Sequence, residues 1–204
     1  MANLTIGSDE AGYGAWAGPL VVCAVVMPQD WPGVPKLKDS KVMSKKAREE
    51  VFRSFSFAAV NHVVIVPPEK IDQDGVWTCL CRAHAEAIQH LAKLVAGNTV
   101  NIIVDGNVPV VGATSVPKAD ALFPVVSLAS VLAKVTRDRI MALLDKDYPG
   151  YGFSKHVGYG VPFHQEALKR LGPCPIHRRS YEPVRRAVEE RENREREFPL
   201  GPED

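Results

Sequence analysis

The stretch Gly7-Ser8-Asp9-Glu10-Ala11-Gly12-Tyr13-Gly14-Ala15-Trp16-Ala17-Gly18-Pro19 sets two adjacent carboxylates at the end of an apolar run and follows them with a glycine-rich turn. A strand sends successive side chains to opposite faces, so Asp9 and Glu10 reach one site only where the strand is ending, which the glycines allow. Such a pair suits a divalent cation and a phosphate better than it suits packing, because charges seldom sit in an apolar strand without a partner. Residues 3–9 and 19–27 therefore read as two strands joined by this turn. Gly12-x-Gly14-x-x-Ala17 also fits a loose dinucleotide-binding fingerprint, but that fingerprint must open a helix, and the valine-rich run after Pro19 reads as strand.

Working outward, Ser44 caps a predicted helix through about Phe55. Phe57 to Val66 reads as a third strand, stopped by Pro67-Pro68. Leu80, Ala83, Ala87, Leu91 and Leu94 form an apolar stripe at helical spacing over 76–95, ended by Gly97-Asn98. A short strand, Val100 to Val104, delivers Asp105 at its C-terminal end. Ala121 to Leu144 is the longest helical pattern, with Pro124 near its start because proline is poorly tolerated in a helix interior. Residues 147–161 read as a structured loop, and helices over 162–171 and about 182–196 close the chain. The order predicts an α/β sheet with a helical C-terminal extension: a core over 1–146, and a segment over 147–204 packed on it, its charged tail starting near 187.

At 204 residues, with 46% hydrophobic and 24% charged side chains, the chain has the profile of a globular domain. No apolar run approaches the roughly 18 residues a membrane span needs. The N-terminus shows no basic region followed by an apolar block, so a secretory signal is not expected. Cys23, Cys79, Cys81 and Cys174 show no disulfide spacing, which suits a reducing cytoplasm. The net charge of +1 hides an asymmetry: residues 118–186 hold 12 basic and 6 acidic side chains, against 10 and 11 before them and 3 and 7 after. A polyanion-binding face is expected in that middle segment.

Asp9, Glu10, Asp105 and Asp120 are the candidate chemical groups. Taken singly, each fits turn or capping duty. Carboxylates from neighbouring strand ends, joined by one at a helix start, can also converge at one sheet edge and hold Mg²⁺ or Mn²⁺ through hard oxygen donors. Cys79-x-Cys81-x-x-His84 superficially suggests zinc, but residues two apart on a helix diverge and no second ligand pair follows, so buried cysteines on an apolar helix are the better reading. His156, His164 and His177 read as structural rather than catalytic. Neither a phosphate-binding Gly-Lys-Ser/Thr loop nor a Gly-x-Ser-x-Gly elbow is present.

The chain resembles the type 2 ribonucleases H, ribonuclease HII, through nearly its whole length. The resemblance rests on Gly-Ser-Asp9-Glu10-Ala-Gly-x-Gly-x-x-Ala-Gly-Pro, Asp39-Ser40-Lys41, Val-Asp105-Gly-Asn and Lys-Ala-Asp120-Ala-Leu-Phe-Pro-Val-Val-Ser. It continues in Ala129-Ser130-Val-Leu-Ala-Lys134-Val-Thr-Arg137-Asp138, Tyr151-Gly-Phe-Ser-Lys155-His156-x-Gly158-Tyr159-Gly160 and Leu171-Gly-Pro-x-Pro-Ile-His177-Arg178-Arg179-Ser180-Tyr181. It implies a ribonuclease H-like mixed sheet flanked by helices. It also implies a metal-binding set of Asp9, Glu10, Asp105 and Asp120 using two Mg²⁺ or Mn²⁺ ions. The implied reaction is hydrolysis of RNA in RNA–DNA hybrids and nicking 5′ to ribonucleotides embedded in duplex DNA, leaving 3′-hydroxyl and 5′-phosphate ends.

By the same resemblance Tyr159 stacks on the sugar beside the junction, and backbone groups of the Gly12-Tyr13-Gly14 turn sense the 2′-hydroxyl. The family's turn is Gly-Arg-Gly, so Tyr13 replaces a positive charge with a phenol. Type 3 enzymes also lack that arginine, but they carry an extra N-terminal domain, and this chain starts directly at its first strand. Lys41, Lys155, Arg178 and Arg179 are candidate phosphate contacts. The alternatives are a type 3-like enzyme and a catalytically silent nucleic-acid-binding protein. A monomer is expected, and Phe198-Pro199-Leu200 lacks the glutamine of a clamp-binding motif.

Overall fold

A computed structural model of the chain describes residues 2–28 and 43–197. Five strands form one mixed sheet in the order β3-β2-β1-β4-β5. β1 (Asn3–Ala11) pairs antiparallel with β2 (Leu20–Pro28), which pairs antiparallel with β3 (Val60–Val66). β4 (Thr99–Asp105) runs parallel to β1, and β5 (Thr114–Val116) runs parallel to β4.

β2 reads as an unbroken apolar run because both of its faces are covered. Leu20, Val22, Ala24 and Val26 pack in a core under α3 (Val76–Leu94) with Leu80, Ala83, Ala87 and Leu91. Val21, Cys23, Val25 and Met27 pack on the other face, under α5 (Pro124–Asp147). α1 (Lys45–Phe55), capped by the Ser44 hydroxyl accepting from the Ala47 amide at 3.2 Å, closes that second layer through Val51, Phe52 and Phe55.

A third apolar cluster joins the C-terminal segment to the core: Ala17 and Met141 pack with Tyr151, Phe153, Ala167, Cys174 and Ile176. The short α6 (Phe153–His156), α7 (Pro162–Leu171) and α8 (Glu182–Glu197) lie in this segment. Asp72 of α2 (Pro68–Asp74) anchors its far end, accepting from the Arg179 and Ser180 amides at 2.7 and 2.9 Å.

Several boundaries differ from the sequence-based expectation. β1 does not end at Asp9; it continues to Ala11 because its pairing with β2 continues to Ala11 opposite Val21. Pro67-Pro68 stops β3 but also starts α2, since proline at the first helical position loses no helical hydrogen bond. Phe57 to Ala59 lie in a turn before β3. The long helical pattern divides at Phe123-Pro124 into α4 (Ala119–Leu122) and α5. No helix among the described residues is long and apolar enough to cross a membrane.

Candidate active site

Parallel pairing of β1 with β4 carries both strands to the same edge of the sheet. Their ladder runs as far as Ser8 opposite Val104, so Asp105 closes β4 beside Asp9 and Glu10. Asp9, Glu10 and Asp105 line one cavity of about 430 Å³ together with Gly12, Tyr13, Gly14 and Tyr159. Strand alternation holds: Ser8 and Glu10 face α3, where both meet His84, while Asp9 faces α5 and Ser130. The two carboxylates leave opposite faces of β1 yet share the cavity because β1 outruns β4 there.

Asp9 is 4% exposed. Burial, then the charges of Glu10 and Asp105, hold its carboxyl well above the usual carboxylate range; the Ser130 hydroxyl and the Glu10 amide pull the other way. That amide donates to Asp9 Oδ1 at 2.7 Å. Asp105 Oδ1 accepts from the Ala119 amide at 2.6 Å, tying the end of β4 to the start of α4. Asp120 follows directly; it is buried and is not among the residues lining the cavity.

Anionic oxygens around one cavity, one of them disfavoured in its charged form by its neighbours, are the donor chemistry a divalent cation relieves. Among the described residues, no three His, Cys, Asp or Glu side chains stand as a ready-made ligand cluster. The carboxylates are turned onto protein donors instead: the Glu10 amide and Ser130, His84, and the Ala119 amide.

The glycine turn is held from beneath. Gly12 has φ +91°, and an added Cβ would stand 2.0 Å from Arg137 Nε. Arg137 is fully buried and donates to the carbonyls of Pro19, Val157 and Ala17 at 2.8, 2.8 and 3.0 Å. Burial lowers it to about 10, which leaves it charged at neutral pH. Its guanidinium also lies 5.6 Å from the centre of the Tyr159 ring.

Arg178, expected as a phosphate contact, is instead fully buried. It donates to the Gly18 and Tyr13 carbonyls at 3.1 and 2.9 Å and to the Tyr181 hydroxyl at 3.0 Å, so it positions the turn rather than meeting solvent. Lys155 and Arg179 are exposed and do not line the cavity; the Lys155 ammonium lies over the Phe163 ring. Lys41 and its Asp39-Ser40 neighbours fall outside the described residues, as does Phe198-Pro199-Leu200.

Arg48, Ser130 and Lys134 also line the cavity, and no role was read for them from the sequence. Ser130 and Lys134 sit one helical turn apart on α5, a spacing that could have flagged them once α5 was known to face Asp9. Cys79 and His84 point to different partners: the Cys79 thiol meets the Lys70 carbonyl at 3.5 Å, and His84 meets Ser8 and Glu10.

Two of the C-terminal histidines, His164 and His177, support Tyr159 from behind, while the His156 ring bonds the Tyr151 carbonyl and the Gly158 amide. His164 Nδ1 meets the Tyr159 carbonyl at 3.0 Å, its Nε2 meets His177 Nε2 at 3.1 Å, and His177 Nδ1 accepts from the Cys174 amide at 3.0 Å. The chain closes only with both rings neutral: His177 Nε2 donates to His164, and His164 Nδ1 donates to Tyr159. Burial pushes His164 down to about 4 and His177 to about 3.

Unfolded histidines bind protons below about 6.5, and these native rings do not, so stability falls as pH drops from there toward the folded values. The slope reaches about 1.4 kcal/mol per pH unit for each ring. Asp9, with a raised folded pKa, acts oppositely at the acid end. Urea unfolding at stepped pH should show this fall between pH 6.5 and 4.5, with His177→Gln flattening it by about one proton. An unchanged slope in that variant rules out the neutral relay.

A ribonuclease HII family model matches residues 6–184. Ribonuclease HII of Mycobacterium bovis is 44% identical over 190 residues, covering 89% of this chain and 69% of the relative. The chain belongs to the ribonuclease HII family. The enzyme of that family from Thermus thermophilus is 43% identical over 186 residues, covering 90% of this chain and 89% of its own length. Among solved structures, ribonuclease H2 from Pyrococcus horikoshii superposes with a TM-score of 0.75 at 28% identity, covering 92% of this chain and 98% of that one. The mixed five-stranded sheet with flanking helices is thus the ribonuclease H-like fold.

Proposed function

We propose that this chain is a divalent-metal-dependent endoribonuclease that hydrolyses the RNA strand of RNA–DNA hybrids and nicks 5′ to ribonucleotides embedded in duplex DNA. The observation that carries the reading is the cavity shared by Asp9, Glu10 and Asp105 with the Gly12–Gly14 turn and Tyr159, in a chain of this family. Asp9, Glu10, Asp105 and Asp120 are the residues that would hold two Mg²⁺ or Mn²⁺ ions. When bound, such ions supply Lewis acidity and neutralise charge developing at the scissile phosphate.

The chain's own residues bind and orient. Tyr159 offers a ring to the sugar at the junction, braced by Arg137 and by His164 on its carbonyl. Backbone groups of Gly12, Tyr13 and Gly14 face the 2′-hydroxyl, the one feature that separates RNA from DNA. Arg48 and Lys134 bring positive charge to the cavity for the phosphates. Attack by water at phosphorus breaks the bond to O3′, leaving a 3′-hydroxyl and a 5′-phosphate. The reading takes residues 1–146 as the catalytic core, 147–204 as its packed extension, and the working form as a cytoplasmic monomer.

A panel of DNA duplex, RNA–DNA hybrid and duplex DNA with one ribonucleotide, each with Mg²⁺, Mn²⁺ or chelator, tests this. Metal-dependent cleavage of the hybrid, with DNA untouched, is expected. Hybrid bound but uncut with both metals rejects the nuclease in favour of a silent binding protein.

Tyr13 is 39% exposed, and its carbonyl is pinned by Arg178 and by the Tyr181 hydroxyl at 2.6 Å, so a new side chain there changes charge without moving the turn. Tyr13→Arg is expected to raise lone-ribonucleotide cleavage relative to hybrid cleavage by about 10-fold, the worth of one charge-assisted phosphate contact. Equal relative rates on the two substrates would reject that role.

A further inference from the structure

We infer that His84 is a positioning residue for Glu10, holding one oxygen of that carboxylate so that the other is presented to the cavity. The inference rests on the nuclease reading above for its consequence, and on geometry for its basis. His84 is fully buried on the face of α3 that otherwise carries Leu80, Ala83, Ala87 and Leu91. A ring with two polar atoms in that layer is costly unless both are bonded. Both are: Nδ1 lies 2.8 Å from Ser8 Oγ, and Nε2 lies 3.4 Å from Glu10 Oε2.

Ser8 and Glu10 sit two residues apart on the same face of β1, so a single ring bridges them. A carboxylate only accepts, so Nε2 donates, and in the neutral ring Nδ1 then accepts from the Ser8 hydroxyl. The same oxygen lies 3.1 Å from the Cys23 carbonyl, but its single hydrogen is given to Nδ1 in this arrangement. Glu10 is thereby tied through the ring to its own strand and to α3. Its side chain remains 23% exposed, on the cavity side. Groups that orient a ligating carboxylate from behind typically change metal affinity or turnover by about 10–100-fold when removed.

The test compares His84→Leu, which fills the layer without a donor, with His84→Gln, which keeps an N–H. Three readouts are taken: thermal melting, calorimetric titration with Mn²⁺ in the absence of nucleic acid, and kcat and KM on an RNA–DNA hybrid. His84→Leu is expected to weaken Mn²⁺ binding and lower kcat by about 10-fold each while KM is unchanged, because the turn and Tyr159 hold the hybrid. His84→Gln should recover most of both. Ser8→Ala, which frees the ring without emptying the layer, should shift Mn²⁺ binding the same way. A folded His84→Leu protein with the wild-type Mn²⁺ isotherm and kcat overturns the inference, as does a Gln variant no better than Leu. A wild-type protein that leaves hybrids uncut overturns the nuclease reading instead, and the paired Mn²⁺ isotherms then still decide the role of His84.

Discussion

Asp9→Asn is expected to lower hybrid cleavage by about 10³-fold while making the folded protein more stable. The two effects share one cause. Asp9 is buried among like charges, so its ionised form is disfavoured in the fold by burial first and by Glu10 and Asp105 next. Asparagine removes that charge but keeps the Oδ1 acceptor that meets the Glu10 amide. Each kcal/mol of repulsion removed raises the melting temperature by roughly 2–4 °C in a chain of this size.

Mn²⁺ should separate the two proteins further. At a hundredfold excess over its dissociation constant, a ligand bound only by the native state adds about 2.7 kcal/mol, and the wild type should gain that where Asp9→Asn gains little. Melting curves with and without Mn²⁺, read beside single-turnover cleavage, check both halves. Retained cleavage in Asp9→Asn would remove the carboxylates from the chemistry. A lower melting temperature without metal would mean that Asp9 is structural.

The second large effect belongs to the glycine turn. Gly12→Ala is expected to cost about 2–6 kcal/mol, combining a strained positive φ with overpacking. The new Cβ would stand 2.0, 2.6 and 2.7 Å from Nε, Cδ and Cζ of Arg137. Arg137 has little room to retreat, because its guanidinium is shared among three backbone carbonyls. The melting temperature should fall by roughly 10 °C.

Gly14→Ala is the control: no heavy atom lies within 4 Å of its added Cβ, so it should melt with the wild type. On the proposed reading the methyl group would project toward the hybrid, so KM should rise. A Gly12→Ala protein as stable as Gly14→Ala would refute the packing described around Arg137.

Much of the fold could be read in the sequence, because β2 and the α3 stripe carry periodicities that burial on two faces and on one face respectively impose. The chemical pair Asp9-Glu10 and the strand-end position of Asp105 were legible for the same reason: charge in an apolar run stands out. The continuation of β1 to Ala11 was not, because glycine propensity near a turn says nothing of how far a neighbouring strand goes on pairing. β5, three residues long, has too little pattern to register. Arg178 was misplaced because an arginine beside Arg179 reads as surface charge. Only the close approach of the Gly12–Gly18 turn shows that its donors are used on backbone carbonyls. His84 was hidden by a cysteine pattern that drew attention to metal spacing along the helix rather than to the strand beneath it.

The Tyr13 carbonyl takes hydrogen bonds from Arg178 and Tyr181, so the turn near the first strand is braced by residues from the last stretch of the described chain. During synthesis all four acidic groups leave the ribosome well before those braces do. The turn proposed to meet the hybrid is thus held by residues 165 and 168 positions further along the chain.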